Sequence, residues 1–137
     1  MQTKREVSAL VPYRLRGTEL EFYLQMRTAD AVVNPGVYDF FGGGLETGET
    51  AVQALHRELL EELEYVPLQP LFFSRYENAT HINNLFIEEV GPDFESGREV
   101  REGQYGRFLT LNEAIDSGTI FTQARYILEQ VSAYLKK

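Results

Sequence analysis

The sequence predicts a mixed α and β domain, and three patterns carry that reading. Between Leu20 and Arg27 apolar and polar residues alternate: Leu20, Phe22, Leu24 and Met26 on one face, Glu21, Tyr23, Gln25 and Arg27 on the other. That is the two-residue period of a strand. From Thr50 the period becomes helical. Gln53 three residues after Thr50 makes a capping-box start, and Val52, Leu55, Leu59 and Leu63 share an apolar arc. Near the C-terminus Phe121, Ala124, Leu128, Val131 and Leu135 recur at helical spacing, a core-facing stripe with no cofactor implied.

The remaining elements follow in chain order. Val7 to Arg16 reads as a first strand, with Pro12 implying an edge position or a bulge. Arg16 to Glu19 is a hairpin turn and Asp30 to Pro35 a loop. Val37 to Phe41 is a short strand delivering the chain to a turn of three glycines, Gly42, Gly43 and Gly44. After the helix, Pro67 and Pro70 punctuate a loop before a strand over Leu71 to Tyr76. Glu77 to Asn84 is polar and turn-rich, Leu85 to Val90 and Tyr105 to Leu109 are strands, and Thr110 to Glu113 repeats the capping-box pattern in a short helix that Gly118 ends.

Composition narrows the function classes. At 137 residues, 43% hydrophobic and 25% charged, the chain is one domain's worth and long enough for a core without disulfides. A net charge of −8 argues against nucleic acid and anionic membrane as partners, since both are polyanions. The absence of cysteine excludes thiol catalysis and zinc-thiolate sites. No apolar run has signal-peptide or membrane-spanning length, so a soluble cytoplasmic protein is the simplest expectation. The oligomeric state is left open.

The stretch with chemistry in it is Gly42 to Tyr65. Glu58, Glu61 and Glu62 crowd one arc of the predicted helix beside the apolar one. Three adjacent carboxylates repel one another at neutral pH unless something neutralises them. A hard dication such as Mg²⁺ does so with oxygen ligands, whereas a solvated acidic face is the plainer alternative. The glycines just upstream let backbone groups approach a ligand without Cβ interference and favour the metal reading.

These residues resemble a known family. Gly43, five residues, Glu49, seven residues, then Arg57-Glu58-Leu59-Leu60-Glu61-Glu62-Leu63-Glu64-Tyr65 is similar to the Nudix box, G-x5-E-x7-R-E-U-x-E-E-x-G-U with U a bulky apolar residue. One fixed position departs from it: Glu64 stands where the box has glycine just past the helix end, which puts the helix terminus under strain or shifts it. Phe41 stands where the family frequently has proline.

The resemblance implies an α/β/α sandwich with a mixed β-sheet, and hydrolysis of a nucleoside diphosphate linked to another group, assisted by Mg²⁺ or Mn²⁺. It implies Glu61 and Glu62 as metal ligands, Glu58 as a third ligand or the base that takes a proton from water, and a carbonyl of the Gly42-Gly43 turn as a further oxygen. Amides near Gly43 and Gly44 would position phosphate. Arg57 and Glu49 would pair, holding the glycines against the helix and orienting Glu58. An additional acid from a later loop is expected at Glu102, with Glu99 second and the Glu88-Glu89 pair third. Arg27 is either a phosphate or nucleotide contact or a solvated strand-end cation. Tyr13 and Tyr23 either stack on a base or pack, and His81 either meets substrate or is simply exposed.

The expected substrate is a nucleotide. Chain length and the Arg27 to Asp30 segment resemble small MutT-like nucleoside triphosphate pyrophosphohydrolases. Nucleotide sugars and ADP-ribose are the alternative, and a non-catalytic nucleotide-sensing module is the alternative of another class.

Overall fold

A computed structural model of the chain describes residues 3–32, 34–95, 100, 103 and 105–136. The elements are β1 (Arg5–Arg16), β2 (Glu19–Met26), β3 (Tyr38–Asp39), β4 (Phe41–Gly44), α1 (Ala51–Leu63), β5 (Leu71–Glu77), β6 (His81–Glu89), β7 (Tyr105–Thr110), α2 (Leu111–Asp116) and α3 (Thr122–Leu135). The strands form one mixed sheet along the path β3-β2-β1-β6-β5, with β4 also paired to β1 and β7 to β2.

β1 organises the sheet. One edge runs parallel to β6 from Arg5↔His81 to Tyr13↔Glu89. The other edge is shared: residues 7–10 pair with β4 and residues 13–16 with β2, both antiparallel. Pro12 therefore lies in an interior strand, and the expectation of an edge or a bulge is corrected. The Tyr13 carbonyl accepts from Val90 N on the β6 side, while the Glu6 carbonyl accepts from Leu45 N on the β4 side. By the two-residue period, the nitrogen of Pro12 faces the side of Glu6, in the gap between the Leu10↔Phe41 and Tyr13↔Phe22 pairs. A residue with no N–H is tolerated where no strand partner stands opposite it.

Both faces of the sheet are covered. Ala9, Val11, Phe22, Leu24, Leu85, Ile87 and Leu109 pack with Ala124, Ile127, Leu128 and Val131 of α3. The intervening residues Leu10, Tyr23, Phe41, Phe86 and Phe108 pack with Leu55, Leu59 and Leu63 of α1. This is the α/β/α sandwich. It also explains why the face of β2 that reads as polar is buried: Tyr23, only 2% exposed, stacks on Phe41 with ring centroids 5.5 Å apart. Each fully buried Leu or Phe stabilises the fold by roughly 2 kcal/mol, so the two layers need both sets.

Other boundaries differ from expectation for local reasons. Val52 is 44% exposed; Ala51 and Ala54 take the inward positions of the first turn of α1 instead. The polar segment after Glu77 is a tight turn only to Thr80, because pairing with Arg5 and Glu6 already begins at His81 and Ile82. The three glycines are not a turn. They are strand β4, paired with Val7, Ser8 and Ala9.

Candidate active site

The reversal that joins β4 to α1 is built by local hydrogen bonds. Gly48 turns at φ +83°, Glu49 N donates to the Glu46 carbonyl, and Glu46 N donates to Glu49 Oε1 at 2.8 Å. Thr50 then caps α1 with its hydroxyl on Gln53 N, and the Gln53 side chain returns to Thr50 N. Ser8 Oγ donates to the Ala51 carbonyl at 2.8 Å, tying β1 to the first turn. At the other end Glu64 adopts the left-handed conformation, φ 53° and ψ 35°, with its N–H on the Leu60 carbonyl at 3.0 Å. The helix stops where the box pattern places its glycine, and Glu64 carries the strain.

Three helix side chains engage the three glycines one by one. Arg57 Nη2 donates to the Gly44 carbonyl at 2.9 Å. The Glu58 carboxylate lies against Gly43, where a Cβ would run into all three of its carboxyl atoms. Glu62, 1% exposed, accepts the Gly42 N–H at 2.9 Å. Glycine at position 43 is required by this close approach. Arg57 further binds Glu49 with two nitrogens, at 2.8 and 3.0 Å, and Glu58 Oε1 with Nη1 at 2.9 Å. The Arg57 guanidinium beside Glu49, with the Glu46 N–H, holds the Glu49 carboxyl down at about 2. Glu49 and then Glu58 in turn raise the guanidinium's affinity for its proton.

Above this junction opens a cleft of about 520 Å³. Gly42, Gly43, Glu58 and Glu61 lie in its lining together with Arg27, Asn34 and Asp39, with Arg5, Asn78, Thr80 and His81, and with Phe40, Phe121 and Ile127. Strand register orders these groups. Asp39 and Arg27 belong to the end of β4 where the chain enters it, whereas Arg5, paired with His81, belongs to the Gly44 end. Asp39 is pushed up by burial, against the opposing pull of the Phe40 N–H, the Asn34 amide and the Arg27 charge. His81 Nδ1 is 2.7 Å from the Thr80 hydroxyl.

Of the residues singled out in the sequence, Arg57, Glu49, Glu58, Glu61, Glu62, Gly42, Gly43 and Gly44 are thus gathered at one junction, and Arg27 and His81 line the cleft above it. Glu62 and Gly44 are not in the cleft lining. Tyr13 and Tyr23 pack in the two cores. Glu88, 5% exposed, is a correction: it accepts from the Tyr65 hydroxyl and from Gln69 N, anchoring the chain after α1. Its neighbour Glu89 is exposed and outside the cleft. Glu99 and Glu102 lie outside the described residues. Arg5 and Asp39 are cleft residues that sequence reasoning missed. Extending the alternation of β1 by two residues would have found Arg5, on the face of Val7 and Ala9; a carboxylate inside the apolar run Val37 to Phe41 marks Asp39.

The donors suit a hard dication. Among the described residues no three His, Asp or Glu side chains form a ready-made metal cluster. Mg²⁺ does not need one, since it is usually held by one or two carboxylates with substrate phosphate and water completing its shell. Glu58 and Glu61, beside the bare backbone of Gly42 and Gly43, offer that set.

An acidic helix gripping a glycine strand at the floor of a cleft, on a mixed sheet between helices, defines the class of the molecule as an α/β/α sandwich with its carboxylates gathered at one strand. A family model described as NUDIX domain matches residues 4–131, and the chain belongs to this family, whose members generally use a divalent metal ion such as Mg²⁺. The chain is similar to an 8-oxo-dGTP diphosphatase of Haemophilus influenzae, 38% identical over 86 residues; the match spans 58% of this chain and 59% of that protein. Two solved structures attest the fold. The NUDIX domain of Shewanella oneidensis NrtR, complexed with ADP ribose, superposes with a TM-score of 0.78 at 13% identity, covering 98% of this chain and 90% of the other. A MutT protein from Methanosarcina mazei Go1 superposes at 0.77 and 20% identity, covering 99% and 98%. No helix among the described residues is long and apolar enough to cross a membrane.

Proposed function

We propose that the chain hydrolyses a nucleoside diphosphate linked to a second group, with a nucleoside triphosphate cut to the monophosphate and pyrophosphate as the foremost case. The observation that carries this is the grip of Arg57, Glu58 and Glu62 on Gly44, Gly43 and Gly42. It fixes a carboxylate over side-chain-free backbone at the floor of a cleft large enough for a nucleotide. The name of the Haemophilus relative supports a triphosphate.

A bound Mg²⁺ or Mn²⁺ would be held by Glu61 with Glu58 or Glu62 beside it, and would neutralise phosphate oxygens and acidify attacking water. Everything else is the chain's own work. Glu58, its Oε1 held by Arg57, would serve either as a further ligand of that ion or as the base that takes the proton water loses as its oxygen bonds to phosphorus and the P–O–P bond breaks. Arg57 is committed to Glu49, Glu58 and Gly44, so it positions the carboxylate and does not bind substrate. Arg27 and Asp39, with Phe40 and Phe121, would receive the nucleoside.

Nucleotide sugars or ADP-ribose are the second reading, favoured by the fold shared with a domain that holds ADP ribose. A sensing module without turnover would not need Glu58 held in this manner. The test is product release from nucleoside triphosphates, nucleotide sugars and dinucleotides with Mg²⁺, with Mn²⁺ and with chelator. Metal-dependent release of pyrophosphate is expected, and silence across the whole panel would sink the enzymatic reading.

A further inference from the structure

We propose that Arg5 binds the anionic group on the far side of the anhydride that is cut, the pyrophosphate half of a nucleoside triphosphate. The assignment of a leaving group to this end rests on the function proposed above. Arg5 opens β1, its side chain is exposed, and no side-chain hydrogen bond or ion pair joins it to any described residue. Arg57, by contrast, is saturated with partners.

The Arg5 guanidinium lies across Gly44, where a Cβ would stand 2.8 Å from Nη2 and 2.9 Å from Nε. A Cβ at Gly43, one residue earlier and on the opposite face of β4, would instead meet Glu58. A ribbon of bare backbone thus separates a carboxylate on one face from an unengaged guanidinium on the other, and both line the same cleft.

A polyphosphate laid over the glycine edge meets the two charges in turn. Its nucleoside end is taken up toward Arg27 and Asp39, which leaves the distal phosphates toward Arg5, Thr80 and His81. A planar guanidinium with its donors unspent suits two phosphate oxygens at once. Gly44 is what lets it lie close to the strand.

The two halves of the product probe the two ends separately. Pyrophosphate and a nucleoside monophosphate are titrated, each with Mg²⁺, into wild type, Arg5→Ala and Arg5→Lys. Arg5→Ala is expected to weaken pyrophosphate roughly 10- to 100-fold, Arg5→Lys less, and neither to move the monophosphate beyond twofold. Unchanged thermal unfolding confirms that the fold is intact, since the side chain is exposed and unbonded. Equal pyrophosphate affinity in wild type and Arg5→Ala, equal weakening of both ligands, or no pyrophosphate binding to wild type overturns the assignment. A wild type that binds pyrophosphate through Arg5 yet hydrolyses nothing sinks the enzymatic reading and with it the leaving-group assignment, and leaves only the Arg5–pyrophosphate contact standing.

Discussion

Arg57 holds Glu49 with two parallel hydrogen bonds, Nε to Oε2 at 2.8 Å and Nη2 to Oε1 at 3.0 Å. The pair links the reversal after β4 to the helix eight residues on. Because Nη2 also reaches the Gly44 carbonyl and Nη1 reaches Glu58, one planar group registers loop, strand and carboxylate together.

That fork makes lysine a poor substitute, since an ammonium group cannot span the same partners. Arg57→Lys is expected to lower kcat roughly 10- to 100-fold with KM little changed, the signature of a displaced Glu58. The linkage to pH has a definite sign. Glu49 is lowered from 4.5 to about 2 in the fold, so its contribution to stability is complete above 4.5 and is lost as pH falls toward 2. Melting temperatures between pH 5 and 2 should fall more steeply for wild type than for Glu49→Gln. Parallel curves would show that the pair does not stabilise the fold.

Glu58 and Glu62 are predicted to fail differently. Glu58 lies in the cleft lining, so Glu58→Gln keeps its shape and loses its charge; a rate loss of about 100-fold or more is expected with unfolding free energy changed by under ~1 kcal/mol. Glu62 is itself buried on the part-buried Gly42 N–H, and Glu62→Ala takes the acceptor from that backbone donor and empties a site in the interior. Such a loss costs about 1 to 3 kcal/mol, so denaturant melts should separate the two variants before any assay is run.

Gly43→Ala tests the close approach itself. Its φ does not fall in the left-handed region, so backbone conformation is not the obstacle; the new Cβ meets the Glu58 carboxylate. The carboxylate must swing away from both strand and Arg57. A rate loss comparable to Glu58→Gln, in a protein that still folds, is the expected result. Near-normal turnover would mean that Glu58 has no fixed place to keep.

The junction was legible in the sequence because it is local: spacing over Gly43 to Tyr65 sets which side chains share a helix face, and Thr50 with Gln53 announces where that helix starts. What escaped depends on pairing between distant segments. Gly42 to Gly44 look like a turn until β1 supplies Val7, Ser8 and Ala9 as partners, and Arg5 looks like a solvated terminus until His81 extends the sheet beneath it. Tyr23 reads as half of a polar face because nothing in its own strand reveals that α1 covers that side. Glu88, third choice for the additional acid that the resemblance implies, is instead bound by Tyr65 and Gln69, which lie about twenty residues away and which no local pattern connects to it.

Glu64 is the one fixed position of the box filled against its usual chemistry, and the structure shows what that costs. A side chain at φ 53° brings Cβ close to the following peptide, a strain of about 1 to 2 kcal/mol that glycine does not feel. Glycine also gains freedom in the unfolded chain, which offsets part of the relief. Glu64→Gly is therefore expected to stabilise the protein by roughly 0.5 to 1 kcal/mol, read from denaturant midpoints at constant m-value. Hydrolysis and metal affinity should stay within about twofold of wild type, because the residue lies past the last turn of α1 and outside the cleft. A substantial change in metal titration would give this carboxylate a part in the site that its position does not predict.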